Sequence, residues 1–202
     1  MNTINQRNPV LLVHGIMRTS AVFRKMSAYL TELGWSVYTL NLKPHNATIG
    51  LDELATQVAD YVDKTFAPDQ SLDLVGLSMG GLVTRYYVQR LGGIKRVQRF
   101  ITISAPNQGT RMAYLSARPG CLQMRPGSAF LEDLNQDSKM LERLNFTSLW
   151  TPLDFIIVPA RSSQMPVGQE VKISVLAHYL MVRDNRSIQA VALALSEPIK
   201  LV

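Results

Sequence analysis

A chain of 202 residues, 47% hydrophobic and 18% charged, carries enough apolar material for a substantial buried core and suits one domain spanning residues 1–202. No apolar stretch approaches the roughly 18 residues of a membrane span. The single cysteine, Cys121, excludes an internal disulfide framework, and residues 1–8 lack a secretory pattern, so the expected location is cytoplasmic.

The net charge of +6 comes from the middle of the chain. Residues 74–131 hold eight bases and no acid, while the remainder carries 13 bases against 15 acids. Such a block is either a solvated basic face or a surface for an anionic membrane or an acidic substrate. Nucleic acid is not expected, because the bases are not interleaved with aromatic residues and no helix-turn-helix or zinc-ligand spacing is present.

Val10–Val13, apolar throughout, predicts a strand buried on both faces that ends at His14-Gly15. Residues 19–33 have helical spacing and stop at Gly34. A second strand is predicted over 35–40. Residues 51–66 follow as an amphipathic helix, with apolar positions recurring at three and four and Pro68 ending it. Leu72–Leu77 is the third strand. It leads through Gly76-Leu77-Ser78-Met79-Gly80 into a helix that closes at Gly92-Gly93. Val97–Ile103 is the fourth strand.

Residues 107–127 read as a long irregular connection, either functional or mobile, and offer the only room for a partial lid. Residues 128–144 are mostly helical. A strand over 146–150 runs into Thr151-Pro152-Leu153-Asp154. The last strand is predicted over 171–177 with His178 directly after it, and a closing helix over 184–195. This alternation predicts an α/β protein with a mostly parallel sheet of about six strands and helices on both faces. Ligands of such sheets sit outside the carboxyl ends of the strands, so reactive residues are sought just after strands.

A G-x-S-x-G pentad between a strand and a helix is a nucleophile elbow. Glycines permit the tight turn, and the helix N-terminus aims free N–H groups and partial positive charge at the serine. A serine hydroxyl needs a general base, and the base needs an orienting acid. Of His14, His45 and His178, only His178 follows Ser78, and it follows a strand.

The acid candidates between them are Glu132, Asp133, Asp137, Glu142, Asp154 and Glu170. The first four lie on the helical stretch and Glu170 precedes a strand. Asp154 is therefore favoured, shielded by Leu153, Phe155 and Ile156. A developing oxyanion needs two preorganised donors. These are assigned to the backbone N–H groups of Met79 and of Ile16, where Gly15 allows close approach. His14 is expected to hydrogen-bond within its own loop. Met17, Met79, Met112 and Met124 could line an adaptable acyl pocket, with burial in the core as the simpler reading.

The segments Val13-His14-Gly15-Ile16, Gly76-Leu77-Ser78-Met79-Gly80-Gly81-Leu82-Val83, Ser104-Ala105-Pro106-Asn107-Gln108-Gly109-Thr110 and residues 151–159 with His178 resemble the small, lidless lipases and esterases of the α/β-hydrolase superfamily. The resemblance runs over residues 9–195. It implies an α/β-hydrolase fold and cleavage of carboxylic esters, of lipid or acyl type, through an acyl-serine intermediate. Ser78 would be nucleophile, His178 base and Asp154 acid, with the Ile16 and Met79 amides as oxyanion hole and no metal or other cofactor. A thioesterase or acyltransferase would use the same groups, whereas a non-catalytic binder would lack one of them. The chain departs from the family at Met17-Arg18, where relatives carry small residues, so a narrower or more basic mouth is expected.

Overall fold

Among the described residues the chain forms six parallel strands: β1 (Val10–Val13), β2 (Val37–Leu40), β3 (Leu72–Leu77), β4 (Val97–Ile103), β5 (Asn145–Trp150) and the polar, largely exposed edge strand β6 (Gln169–Lys172). They form one sheet in the order β2-β1-β3-β4-β5-β6, with every neighbouring pair parallel. The computed structural model describes residues 7–200; most of the polar opening segment, 1–6, lies outside them.

Successive strand residues point to opposite faces, and both faces are covered. On one side α2 (Leu51–Thr65) and α3 (Met79–Arg90) pack Leu54, Val58, Leu82 and Val83 against Leu11, Val13, Leu72 and Leu74. On the other, α1 (Arg24–Glu32) and α6 (Asn185–Ser196) pack Met26, Leu30, Ile188 and Val191 against Val10, Leu12, Val75 and Leu77. Each such buried side chain contributes about 1.5–3 kcal/mol as an upper figure. This double cover explains why β1 reads as an unbroken apolar run and β3 as one interrupted only by Asp73, which is buried against Arg99. The chain runs from β1 to β2 on one side and then crosses to β3 on the other. The direction of strand order therefore reverses at β1/β3, and a crevice opens at their carboxyl ends.

Several expectations are corrected. Residues 107–127 are not irregular throughout. They hold a 3-10 turn at Arg111–Leu115 and the short helix α4 (Pro119–Gln123). Pro119 occupies a first-turn position, where its missing N–H costs nothing. A Cβ on Gly120 would press on Ala47 at 2.9 Å, so that glycine is a packing contact, not a chain break.

β6 ends at Lys172, five residues short of Ala177: Ile173 N–H still reaches the Trp150 carbonyl, but the Val175 amide turns back to the Ile173 carbonyl (2.9 Å) and Thr151 Oγ1 (3.2 Å). His178 therefore opens a 3-10 turn, His178–Val182, and does not follow a strand directly. Glu170 lies inside β6, not before it, and accepts hydrogen bonds from Trp150 Nε1 and Gln164.

The basic middle block is not one face. Arg85 is fully buried, while Arg90 pairs with Asp133 and Asp137, Arg96 with Asp63, and Arg99 with Asp73. Of the eight bases, Lys95, Arg111 and Arg118 are exposed and free of an ion pair among the described residues, and Arg125 is half-buried. Among the described residues no helix is long and apolar enough to cross a membrane.

The candidate active site

Ser78 stands at the crevice, between the last residue of β3 and the first of α3, with φ 53° and ψ −124°. A side-chain-bearing residue held there stores on the order of 1–3 kcal/mol of strain. Its backbone is fixed on both sides. The Ser78 N–H donates to the Ile103 carbonyl (2.8 Å), and the Ser78 carbonyl accepts from the Gly81 N–H (2.9 Å). Strand and helix cross so closely that a Cβ on Gly76 would meet Thr84 Oγ1 at 2.5 Å.

The loop after β1 is pressed against this turn. A Cβ on Gly15 would lie 2.9 Å from Ser78 Cβ, and one on Gly80 would run into the carbonyl oxygens of Val13 and His14. Met79 is the first residue of α3, so its amide has no intrahelical acceptor. The Ile16 amide likewise makes no hydrogen bond among the described residues.

His14 is buried and uses both ring nitrogens. Nε2 accepts the Leu42 N–H (3.0 Å), which assigns the proton to Nδ1, donating to the Gly15 carbonyl (2.9 Å). Burial pushes its pKa down, outweighing the Gly15 carbonyl, and nearby His45 adds to the effect. It is a neutral brace for the loop, as its sequence context implies. His45 is exposed, and its carbonyl accepts the Met17 N–H (2.7 Å).

Asp154 and His178 meet from the loops after β5 and β6. Asp154 Oδ2 lies 2.7 Å from His178 Nδ1, and Asp154 Oδ1 accepts the Ile156 and Ile157 amides at 2.9 Å each. Burial alone would raise the Asp154 pKa. The His178 hydrogen bond and charge, with the two amides, outweigh it and hold the carboxyl below its ordinary range. His178 Nε2 is buried and has no hydrogen-bond partner among the described residues. With Nδ1–H committed to a carboxylate, Nε2 is left as a lone-pair acceptor. The histidine's loop touches the Ser78 side of the crevice through Arg18, whose guanidinium lies 3.9 Å over the Tyr179 ring, and Tyr179 packs edge-on to His178. Ser78 and His178 are 4% and 2% exposed.

The remaining acid candidates are engaged elsewhere or exposed on the helical stretch. Asp133 and Asp137 hold Arg90, and Glu170 holds Trp150. The four methionines do not converge: Met79 and Met124 are core, whereas Met17 and Met112 are exposed.

Three supporting residues escaped sequence reasoning. Thr110 Oγ1 donates to the Ile156 carbonyl (2.7 Å) and accepts the Val158 N–H (2.9 Å), tying the loop after β4 to the Asp154 loop. Its place in the Ser104–Thr110 motif was the available signal. Arg85 bonds Gln89, Asn107, Asn135 and the Leu134 carbonyl from inside the core, with its pKa lowered by burial to about 9. Tyr179 carried no signal beyond standing next to His178.

The sequence family described as palmitoyl protein thioesterase matches residues 9–125. That span includes the elbow and the loop after β1 but ends before Asp154 and His178. Among solved structures, the mature form of Bacillus licheniformis lipase BlEst2 superposes with a TM-score of 0.76 at 14% identity, over 95% of this chain and 93% of that one. Aspergillus fumigatus lipase B gives 0.79 at 20% identity, over 97% of this chain and 54% of its own. The thioesterase domain from the curacin biosynthetic pathway gives 0.67 at 14%, over 95% and 92%. At such identities the likeness is one of fold, and that fold is the α/β-hydrolase fold.

Proposed function

Because the chain belongs to the palmitoyl protein thioesterase family, we propose that it hydrolyses acyl esters, with Ser78 as nucleophile, His178 as general base and Asp154 as orienting acid. The observation that carries this reading is the buried Asp154–His178 pair with an unpartnered Nε2, joined through the Arg18 loop to an elbow serine at a helix N-terminus. The reading places the whole reaction in one domain, residues 1–202.

In the first half-reaction Ser78 Oγ attacks the acyl carbonyl carbon while His178 Nε2 takes the hydroxyl proton. The carbonyl oxygen becomes an oxyanion held by the Ile16 and Met79 amides, each worth on the order of a hundredfold in rate or more. Collapse breaks the bond to the leaving alcohol, which takes the proton from His178, and leaves acyl-Ser78. In the second half His178 deprotonates water, the hydroxide attacks the acyl carbon, and the fatty acid leaves as Ser78 recovers its proton.

A lipid ester is the favoured substrate, in line with the two lipases whose fold the chain shares. An acyl thioester is the second reading, favoured by the family description and by the thioesterase neighbour. Peripheral contact with an anionic membrane belongs to the same picture.

Labelling by a fluorophosphonate that disappears in Ser78→Ala tests the nucleophile. A folded wild-type protein that is not labelled would overturn the enzymatic reading. An acyl-chain-length series of matched esters and thioesters then separates lipase, esterase and thioesterase.

A further inference from the structure

In a parallel sheet every loop that leaves a strand's carboxyl end emerges at one edge, and here those loops are stitched into a ring. Met17 N–H reaches the His45 carbonyl, Gly120 N–H the Ala47 carbonyl, Arg111 N–H the Val158 carbonyl, and Arg18 stacks on Tyr179. These loops share the strand-end edge with Ser78, and they carry most of the large apolar side chains that are exposed among the described residues.

Large apolar side chains stand out from it: Met17, Tyr114, Leu115, Phe155, Leu176 and Leu180. Leu115 is 78% exposed, Leu176 76% and Phe155 74%. They come from four separate loops, so no single amphipathic segment accounts for them. Solvated surfaces scatter such residues singly, and an assembled rim of them marks a surface that something covers.

The charge on the same edge is one-sided. Arg18, Lys43, Arg111, Arg118, Arg161 and Arg183 are exposed there. The only acids in these loops are Asp154, buried on His178, and Asp184, paired with Arg186. Asp52 and Glu53, which open α2 beside this edge, are engaged by Gln123 and the Gly50 amide. None of the six bases makes an ion pair among the described residues.

We propose that this strand-end edge is a docking surface for an anionic lipid bilayer, with Leu115, Phe155 and Leu176 entering the acyl boundary and the arginines meeting headgroup phosphates. Aromatic and leucine side chains interleaved with long basic ones match the layered chemistry of a bilayer interface. Each base near an anionic surface adds attraction that fades within a Debye length. It is also the edge at which Ser78 stands, between β3 and α3. The proposal rests on the lipid-ester reading for its purpose, but not for its measurement.

The test is co-sedimentation of the Ser78→Ala protein, which cannot hydrolyse lipid by the proposed route, with vesicles of phosphatidylcholine alone or with one quarter phosphatidylglycerol. The expected result is binding to the anionic vesicles that weakens with added salt. Binding should fall by about twentyfold or more in Arg111→Glu/Arg118→Glu, and comparably in Leu115→Asp/Leu176→Asp. The same pairs of substitutions in the Ser78 protein should leave hydrolysis of a short soluble ester unchanged, which shows that the fold is intact.

No binding to anionic vesicles, equal binding to both vesicle types, or full binding by the folded variants would each overturn the proposal. Loss of fluorophosphonate labelling at Ser78 with vesicle binding intact would instead overturn the hydrolase reading alone.

Discussion

Asp154 divides its two oxygens between two tasks: Oδ2 holds His178 Nδ1 at 2.7 Å, and Oδ1 holds the backbone of its own loop through Ile156 and Ile157. Substitutions at this position can therefore separate chemistry from architecture.

In Asp154→Asn the amide oxygen still accepts the Ile156 and Ile157 N–H groups, while the NH2 group faces His178 Nδ1. That forces the proton to Nε2, where a base is needed, so turnover should fall about 10⁴-fold with the melting temperature nearly unchanged. Asp154→Ala should lose turnover and also several degrees of melting temperature. Near-wild-type turnover in the asparagine variant would remove Asp154 from the triad. Because the folded carboxyl titrates below its ordinary range, its contribution to stability is present above that range and is lost as pH falls through the lowered value. The acid limb of the unfolding profile should flatten in Asp154→Asn.

His14 gives a second pH signature with a different window. Its folded pKa is lowered chiefly by burial, so the unfolded chain takes up a proton that the folded one refuses. The neutral ring's contribution is intact above the ordinary histidine value of about 6.5 and is lost as pH falls through the lowered folded value. Urea unfolding at pH 7.5 and 5.5 should show a larger drop for the wild type than for His14→Gln. Equal drops would mean that the ring is not held neutral.

Gly80→Ala should damage both stability and rate. The new methyl group meets the carbonyl oxygens of Val13 and His14, which are backbone atoms without rotamer freedom. Overpacking of this kind costs about 1–3 kcal/mol, and it would push the Ile16 amide away from Ser78. Gly92→Ala is the control. A Cβ there meets nothing within 4 Å and bears only the strain of φ 83°. Thermal melts and kcat measured on both variants check this, with rate loss expected only at Gly80.

Thr110→Val preserves shape and removes a hydroxyl that bonds Ile156 and Val158. The orphaned Val158 amide should cost about 1–3 kcal/mol. The Asp154 loop loses its outer anchor, so kcat should fall by about tenfold with KM little changed. Thr110→Ser should restore the rate, which a purely packing role would not.

Legibility in the sequence followed the range of the interactions involved. β1, β3 and β4 were plain because strands covered on both faces are mostly apolar: β1 wholly so, β3 but for Asp73, and β4 in its buried half, Phe100 to Ile103. α2 was plain because one face of it is. The order serine, acid, histidine narrowed the triad, and the structure brings Asp154 and His178 together. The end of β6 was misread because Ile173 to Ala177 has a strand's composition, while the Val175 amide turns to the Ile173 carbonyl and to a threonine hydroxyl 24 residues earlier. Pro119 and Gly120 looked like chain breaks because their use, a first-turn proline and a contact with Ala47, depends on a loop some 70 residues away in sequence. The basic block dissolved for the same reason. The acids that neutralise it lie outside the block, on α2, β3 and α5 (Ala129–Gln136) and just beyond α5.

The two glycine contacts at positions 15 and 80 carry a lesson for redesign. The turn that carries Ser78 is clamped between the loop after β1 and α3, so it offers almost no freedom for redesign. The 3-10 turn Arg111–Leu115 and the approach to α4 are suspended between Thr110 and Gly120, and apart from the buried Ala113 the turn's side chains are exposed. A library confined to those exposed positions would alter the strand-end edge while the Ser78 turn behind it stays as it is.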